Sequence, residues 1–367
     1  MLDKIRVAVI FGGRSNEREI SFESGRNIIN KISSEKYDKT PVFLSNNLGL
    51  YKINQRLLVQ NSTKEVEQSL EAALNAGEVQ KLAWDDLPKL FDFVFLGLHG
   101  GEGENGTIQG ALEMLKMPYN GSGIFTSGLC MTKYQTTMYL KSKGFETLNC
   151  SLVSRAQWAV SKTQILAEVE QSIGYPVISK PNDDGCSVMV CKANNEAELI
   201  ANIEMTLQSK SEVLLEQLAP GMELTVGCVG NETVKALIPT QTVSTGDVLS
   251  IEEKFLPGAG LNVTPAPLSE IDTQLVRRKI EQVYTALGCK GYARIDCFYD
   301  QANQHLYVID VNTLPGMTPA TCLFHQAAEL GISPSGLLDI IIGLGFEQHH
   351  KSNYLVVNSA QEISLMQ

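Results

Sequence analysis

Short apolar runs alternate with helical periodicity through the first third of the chain. Residues 5–11 are apolar apart from Arg6 and stop at Gly12-Gly13, the pattern of a strand buried on both faces. Residues 21–32 place Ile28, Ile29 and Ile32 on one side of a helix. Residues 41–44 and 91–98 form further apolar runs, the second leading into a glycine-rich turn, HGGEGENG. Residues 106–116 and 123–143 carry helical patterns. Strands that alternate with helices pair in parallel, and ligand sites in such sheets gather at the strands' C-terminal ends. Gly12-Gly13 and His99-Gly100-Gly101 sit at two such ends.

Near residue 150 the pattern changes. The sequence predicts a helix over 163–172, a strand over 176–180, a loop over 181–185 and a strand over 186–191. A helix over 196–206 and a strand over 212–217 follow, as in a small α+β module with a flexible lid. Strands within 223–243, a loop rich in Gly, Pro and Asn over 245–268 and a helix from Ser269 come next. Strands over 292–299 and 305–311 and helices near 318–329 and 334–342 complete the order. A chain of 367 residues exceeds one compact core. The changes in character divide it into an α/β domain (1–132), two α+β units (133–218 and 219–346) and a polar tail (347–367).

Charge and cysteine usage narrow the function classes. Acidic residues outnumber basic ones by 41 to 30, so the net charge is −11. Without a positive field, no nucleic acid and no membrane is expected as a partner, although a local basic pocket for phosphates is compatible. No run reaches the roughly 18–20 apolar residues of a membrane span. The nearest, 337–344, is interrupted by Asp339 and Gly343. The opening MLDKIRVAVIFGG has no signal core, so secretion is not expected. Eight cysteines are scattered singly without CxxC pairs, which fits reduced thiols in the cytoplasm better than disulfides or a zinc site.

Chemistry-bearing residues cluster in the second half. Arg294 and Asp296 lie two apart and share one strand face, as do Asp310 and Asn312 on the next strand. Together Asp296, Asp310 and Asn312 offer hard oxygen ligands suited to Mg²⁺, which fills its shell with phosphate and water. The plain alternative is two exposed strand faces with unrelated polar residues. Lys180 ends an apolar strand, where burial is costly without an anionic partner. Lys133 taken alone reads equally as a solvated surface charge. Glu216 closes the run EVLLEQ and Glu223 follows seven residues later; both fit adenine or ribose contacts, or an exposed strand end. Glu17 and Glu19 stand near a helix start, where the dipole favours acids with or without a function.

Taken together, FGGRSNEREIS, LHGGEGENGTIQGALEMLKMPYNGSG, MTK, PVISKP, EVLLEQ, GCKGYARID and VNTLPGMT resemble the ATP-grasp superfamily and, within it, the D-alanine–D-alanine ligase family. These segments run in the family's order from residue 1 to about 345. The resemblance implies a three-domain ATP-grasp fold, α/β overall and α+β in the ATP-binding part, with an N-terminal doubly wound parallel-sheet domain. It implies ATP and two Mg²⁺ ions (Mn²⁺ as a substitute), small amino-acid substrates with D-alanine favoured, and a homodimer. The implied reaction joins two D-alanines through an acylphosphate, for peptidoglycan.

Carried over residue by residue, Lys133 and Lys180 match phosphate-binding lysines. Glu216, Gln217 and Ala219 match the adenine-reading segment, and Glu223 the ribose-binding acid. Ile178, Phe298 and Ile309 match apolar walls around adenine, and Asp296, Asp310 and Asn312 the magnesium ligands. Arg294 and the Gly316 amide match the oxyanion-stabilising groups. Glu17 matches the acid that anchors the first substrate's ammonium, with His99 near the same pocket. Lys254 and Thr321 match positions by the γ-phosphate and the second substrate's carboxylate. The usual serine pair of the lid is Cys186-Ser187 here, and the usual tyrosine after the loop lysine is Phe255. Two hydroxyls that hold the family's lid over the substrates are thereby missing. Asp310 also stands where glutamate is usual. These departures leave ATP binding and carboxylate activation in place and open the choice of acceptor, with D-lactate, D-serine or another small amino acid beside D-alanine. A non-catalytic ATP-binding regulator is the reading from a different class.

Overall fold

The computed structural model describes residues 4–183, 189–243, 261–319 and 321–349. Its first sheet contains β1 (Ile5–Gly12), β2 (Tyr37–Leu44), β3 (Leu50–Lys52), β4 (Gln80–Leu82) and β5 (Phe93–Leu96), in the order β4-β3-β2-β1-β5. β1 runs parallel to β2 and β5, as the alternation of strands and helices predicts. β3 and β4 depart from it and pair antiparallel. The segment between Leu44 and Leu50 is too short for the crossover a parallel partner needs, so the chain turns back on itself there. Helix Arg18–Lys31 covers β1 so closely that a Cβ on Gly25 would lie 2.2 Å from the Phe11 ring.

The helical pattern over 123–143 is two helices, Ile124–Met131 and Lys133–Ser142, broken at Thr132 (φ −105°, ψ 99°). The break is built from outside. Asn182 accepts the Lys133 and Tyr134 N–H groups through its backbone and side-chain oxygens, at 3.0 and 2.9 Å, and so starts a fresh helix.

The second sheet is antiparallel, with β6 (Cys150–Ser154), β7 (Val177–Pro181), β8 (Cys191–Ala193) and β9 (Glu212–Gln217) in the order β6-β9-β7-β8. Helix Arg155–Ser172 starts well before the expected residue 163 because Ser154 and Gln157 form a reciprocal capping box; Ser161 then kinks it. A core of Trp158, Ile165, Leu199 and Ile203 from the two covering helices packs on Val177, Val213 and Leu215. Strand alternation leaves Ile178, Lys180 and Glu216 on the opposite face, with Ile178 directly across from Glu216. Of the strand expected over 186–191, residues 186–188 lie outside the described residues, and the described strand begins at Cys191.

The third sheet runs β13 (Leu261–Val263), β12 (Thr240–Val243), β10 (Met222–Gly230), β14 (Tyr292–Asp300) and β15 (His305–Asn312), with β11 (Val234–Ala236) beside β10. Leu224, Val226, Ile295 and Cys297 pack against Val276, Ile280 and Val283 of helix Glu270–Ala286. The alternate residues, Glu223, Thr225, Arg294 and Asp296, point to the other face. The last described helix, Pro334–Gln348, packs on the first sheet: the Phe346 and Phe93 rings are 5.0 Å apart, and one core joins β1, β2 and β5 to residues 337–346.

Candidate active site

Register sets the acidic cluster. β14 and β15 place Arg294 opposite Asn312 and Asp296 opposite Asp310; the register then slips, with Ile309 as the extra residue. Arg294 donates to both oxygens of Asp296 at 2.9 Å, Thr225 Oγ1 donates at 2.6 Å and Asn312 Nδ2 at 3.4 Å. Lys133 Nζ reaches Asp310 Oδ1 at 3.1 Å. Burial disfavours the Lys133 charge, but Asp310, with Glu216 and Glu17 further off, outweighs it and holds its pKa above the ordinary lysine value. Arg294 is half-buried; desolvation disfavours its charge, and Asp296 outweighs that and keeps its pKa raised. Lys180 pairs with Glu216 at 2.5 Å, both nearly buried. Asp296, Asp310 and Glu216 thus each hold a positive partner, in Arg294, Lys133 and Lys180.

That donor set fits a small hard cation. Among the described residues no three His, Cys, Asp or Glu side chains form a preformed metal cage. Magnesium needs none, since it is held by one or two carboxylates together with substrate phosphates. Asp296, Asp310 and the Asn312 amide oxygen are the groups that would supply that partial shell.

Two cavities flank the Asp296–Asp310 pair. One is lined by Glu17, Gly100, Glu104, Lys133, Asp310 and Asn312. The other is lined by Glu223, Thr225, Arg294, Asp296, Thr321 and Cys322. Glu17 presses against Gly100, whose φ of +62° and missing side chain are both required; a Cβ there would sit 2.5 Å from Glu17 Oε2. Glu19, by contrast, accepts from the Thr63 N–H and hydroxyl and serves the fold.

His99 is buried and neutral, its pKa lowered to about 4 by burial. Its Nδ1 donates to the Leu314 carbonyl (2.9 Å) and its Nε2 accepts from Ser24 Oγ (2.7 Å), which in turn accepts the Met317 N–H (3.0 Å). His99, expected near the pocket of the first substrate's ammonium, has its ring engaged with the loop that contains Gly316. Glu104, absent from the residues expected at the site, accepts from Gly100 N–H at 3.1 Å and from Leu314 N–H at 3.0 Å. Its only sequence signal is an acid one helical turn after the glycine turn.

The remaining expected residues fall as follows. Phe298 lies opposite Glu223 and is half-buried, as are Ile178 and Ile309. Gln217 is exposed and its N–H donates to Asn149 O (2.9 Å), so that group is not offered to a base; Ala219 is half-buried just beyond β9. Thr321 donates to Thr318 O at 2.8 Å and precedes helix Cys322–Ala328. Cys186, Ser187, Lys254 and Phe255 lie outside the described residues.

Two antiparallel-sheet units that bring lysines and carboxylates together, joined to a sheet with a parallel centre, make this an ATP-grasp protein. Two family models match, D-ala D-ala ligase N-terminus over residues 6–122 and D-ala D-ala ligase C-terminus over 139–343. The chain belongs to the D-alanine–D-alanine ligase family and is an ATP-dependent ligase. It is 31% identical over 362 residues to the D-alanine–D-alanine ligase of a Thermoanaerobacter species, covering 95% of this chain and 99% of that one. The corresponding enzyme of Natranaerobius thermophilus is 29% identical over 366 residues, covering 96% and 98%. The crystal structure of the Bacillus anthracis D-alanine–D-alanine ligase complexed with ATP matches with a TM-score of 0.70 at 27% identity, covering 95% and 100%.

Proposed function

We propose that the chain joins two D-alanine molecules to D-alanyl-D-alanine at the expense of ATP, in the cytoplasm and for peptidoglycan, as a homodimer. This reading is supported by the cavity that Glu17, Lys133 and Asp310 line together, where one carboxylate suits an ammonium group, the half-buried lysine a phosphate and the other carboxylate a metal. Glu17 anchors the first D-alanine through its ammonium group. Lys133 and Lys180 exchange Asp310 and Glu216 for phosphate oxygens as ATP enters, while Glu223 takes the ribose and Ile178, Phe298 and Ile309 enclose the adenine. Two Mg²⁺ ions, or Mn²⁺ in their place, held by Asp296, Asp310 and Asn312 would neutralise the phosphates.

The first substrate's carboxylate attacks the γ-phosphorus, giving an acylphosphate and ADP. The second substrate's amine then attacks the acyl carbon, and inorganic phosphate leaves. Arg294 and the Gly316 amide stabilise the oxyanion of the tetrahedral intermediate, with Thr321 and Lys254 near the acceptor's carboxylate and the γ-phosphate.

A second reading keeps the activation step and changes the acceptor. Cys186 and Phe255 stand where the family's lid hydroxyls are usual, which favours a test of D-lactate and D-serine as well. The deciding experiment supplies ATP, Mg²⁺ and D-alanine with each acceptor and measures phosphate release and product by chiral chromatography. D-Alanyl-D-alanine as the main product is expected. A preference for another acceptor moves the protein to the second reading, and no phosphate release with any D-amino acid overturns both.

A further inference from the structure

Every polar backbone group on the two residues that bracket Pro315-Gly316 is held by a buried side chain from the first 104 residues. Glu104 accepts the Leu314 N–H, His99 donates to the Leu314 carbonyl, Ser24 accepts the Met317 N–H and Asn27 Nδ2 donates to the Met317 carbonyl at 2.7 Å. Proline has no N–H, so Gly316 carries the one backbone donor between the two clamped residues.

We infer that Glu104 is a positioning residue for the ligation, tying the Gly100 turn beside Glu17 to the loop that presents the Gly316 amide. This rests on the ligase reading above. Glu104 spans two segments that are far apart in sequence but meet at the site, one carboxylate oxygen on Gly100 N–H and the other on Leu314 N–H. Both oxygens are acceptors, so the ionised acid suits the place and an amide does not: glutamine would turn an NH₂ toward one of the two donors.

The location is electrostatically costly. Burial, then the nearby Glu17 charge, pushes the Glu104 carboxyl up to about 7, against which the two N–H bonds work. A costly acid at the junction of the substrate pocket and the oxyanion loop is better explained by geometry required in the reaction than by stability. Displacing the Gly316 amide by about 1 Å is enough to lose on the order of 10²-fold in rate.

The test compares the full-length protein with Glu104→Gln and Glu104→Ala in two measurements. Steady-state kinetics on D-alanine should show kcat lowered roughly 10- to 100-fold in Glu104→Gln with KM for ATP changed less than about threefold. Hydrogen exchange of the peptide covering 312–318 should speed up at least about tenfold in both variants, with circular dichroism unchanged. Unaltered exchange overturns the clamp whatever the substrate is. Faster exchange with unchanged kcat, or kcat lost only in step with ATP affinity, overturns its role in the reaction. If the wild-type protein makes no dipeptide, the ligase reading fails while the exchange measurement still judges the clamp.

Discussion

At the scale of single residues, three carboxylates of the candidate site, Asp296, Asp310 and Glu216, are each paired with a cation. Arg294 makes two parallel bonds to Asp296, a geometry that lysine cannot reproduce. Arg294→Ala should lower kcat by about 10²–10³-fold, the usual cost of one oxyanion donor; steady-state assays with D-alanine check it. His99 carries a pH signature. Its pKa is about 4 in the folded chain against 6.5 when unfolded, so its contribution is fully present above about pH 6.5. It is lost as pH falls from there toward 4, and amounts to roughly 3 kcal/mol. Urea unfolding of wild type and His99→Gln should show their stability difference shrinking over that interval. Glu104 has the opposite sign: its folded pKa is raised, so stability present below about pH 4.5 is lost as pH rises through about 7. Asp296, Asp310 and Asn312 were legible because residues two apart share a strand face. The partners of His99 were not, because Ser24 and Leu314 are 75 and 215 residues away along the chain.

At the scale of elements, existence was easier to read than extent. Strand β9 agrees with its expected bounds because EVLLEQ is short, apolar and bordered by polar residues. The start of the helix over 155–172 is hard to see in the sequence because its first turns, RAQWAVSK, show no clear apolar stripe and owe their start to the Ser154–Gln157 box. Ser154→Ala should therefore lower stability by about 1 kcal/mol in chemical denaturation. The parallel sheet was legible through its alternation, while β3 and β4 were too short to register as strands. Contact between elements leaves fainter marks still. Gly25 looks like a poor helix residue in the sequence, yet it is where the helix meets Phe11. Gly25→Ala should overpack that contact and cost about 1–3 kcal/mol, read as a lower unfolding midpoint, despite alanine's better helix propensity.

At the scale of the whole molecule, the chain closes on itself. Lys36 pairs with Asp339 at 2.6 Å, and Phe346 packs on Phe93. Phe346→Ala should cost about 3–5 kcal/mol and loosen β1 and β5 although it lies at the far end of the chain; hydrogen exchange of those strands measures it. Such closure has a consequence for birth on the ribosome. β5 emerges while its covering helix is still unmade, and at about 5–20 residues per second Phe346 follows Phe93 by tens of seconds. The part of the first sheet's apolar surface that Pro334–Gln348 covers stays exposed for that interval, the kind of surface that chaperones shield.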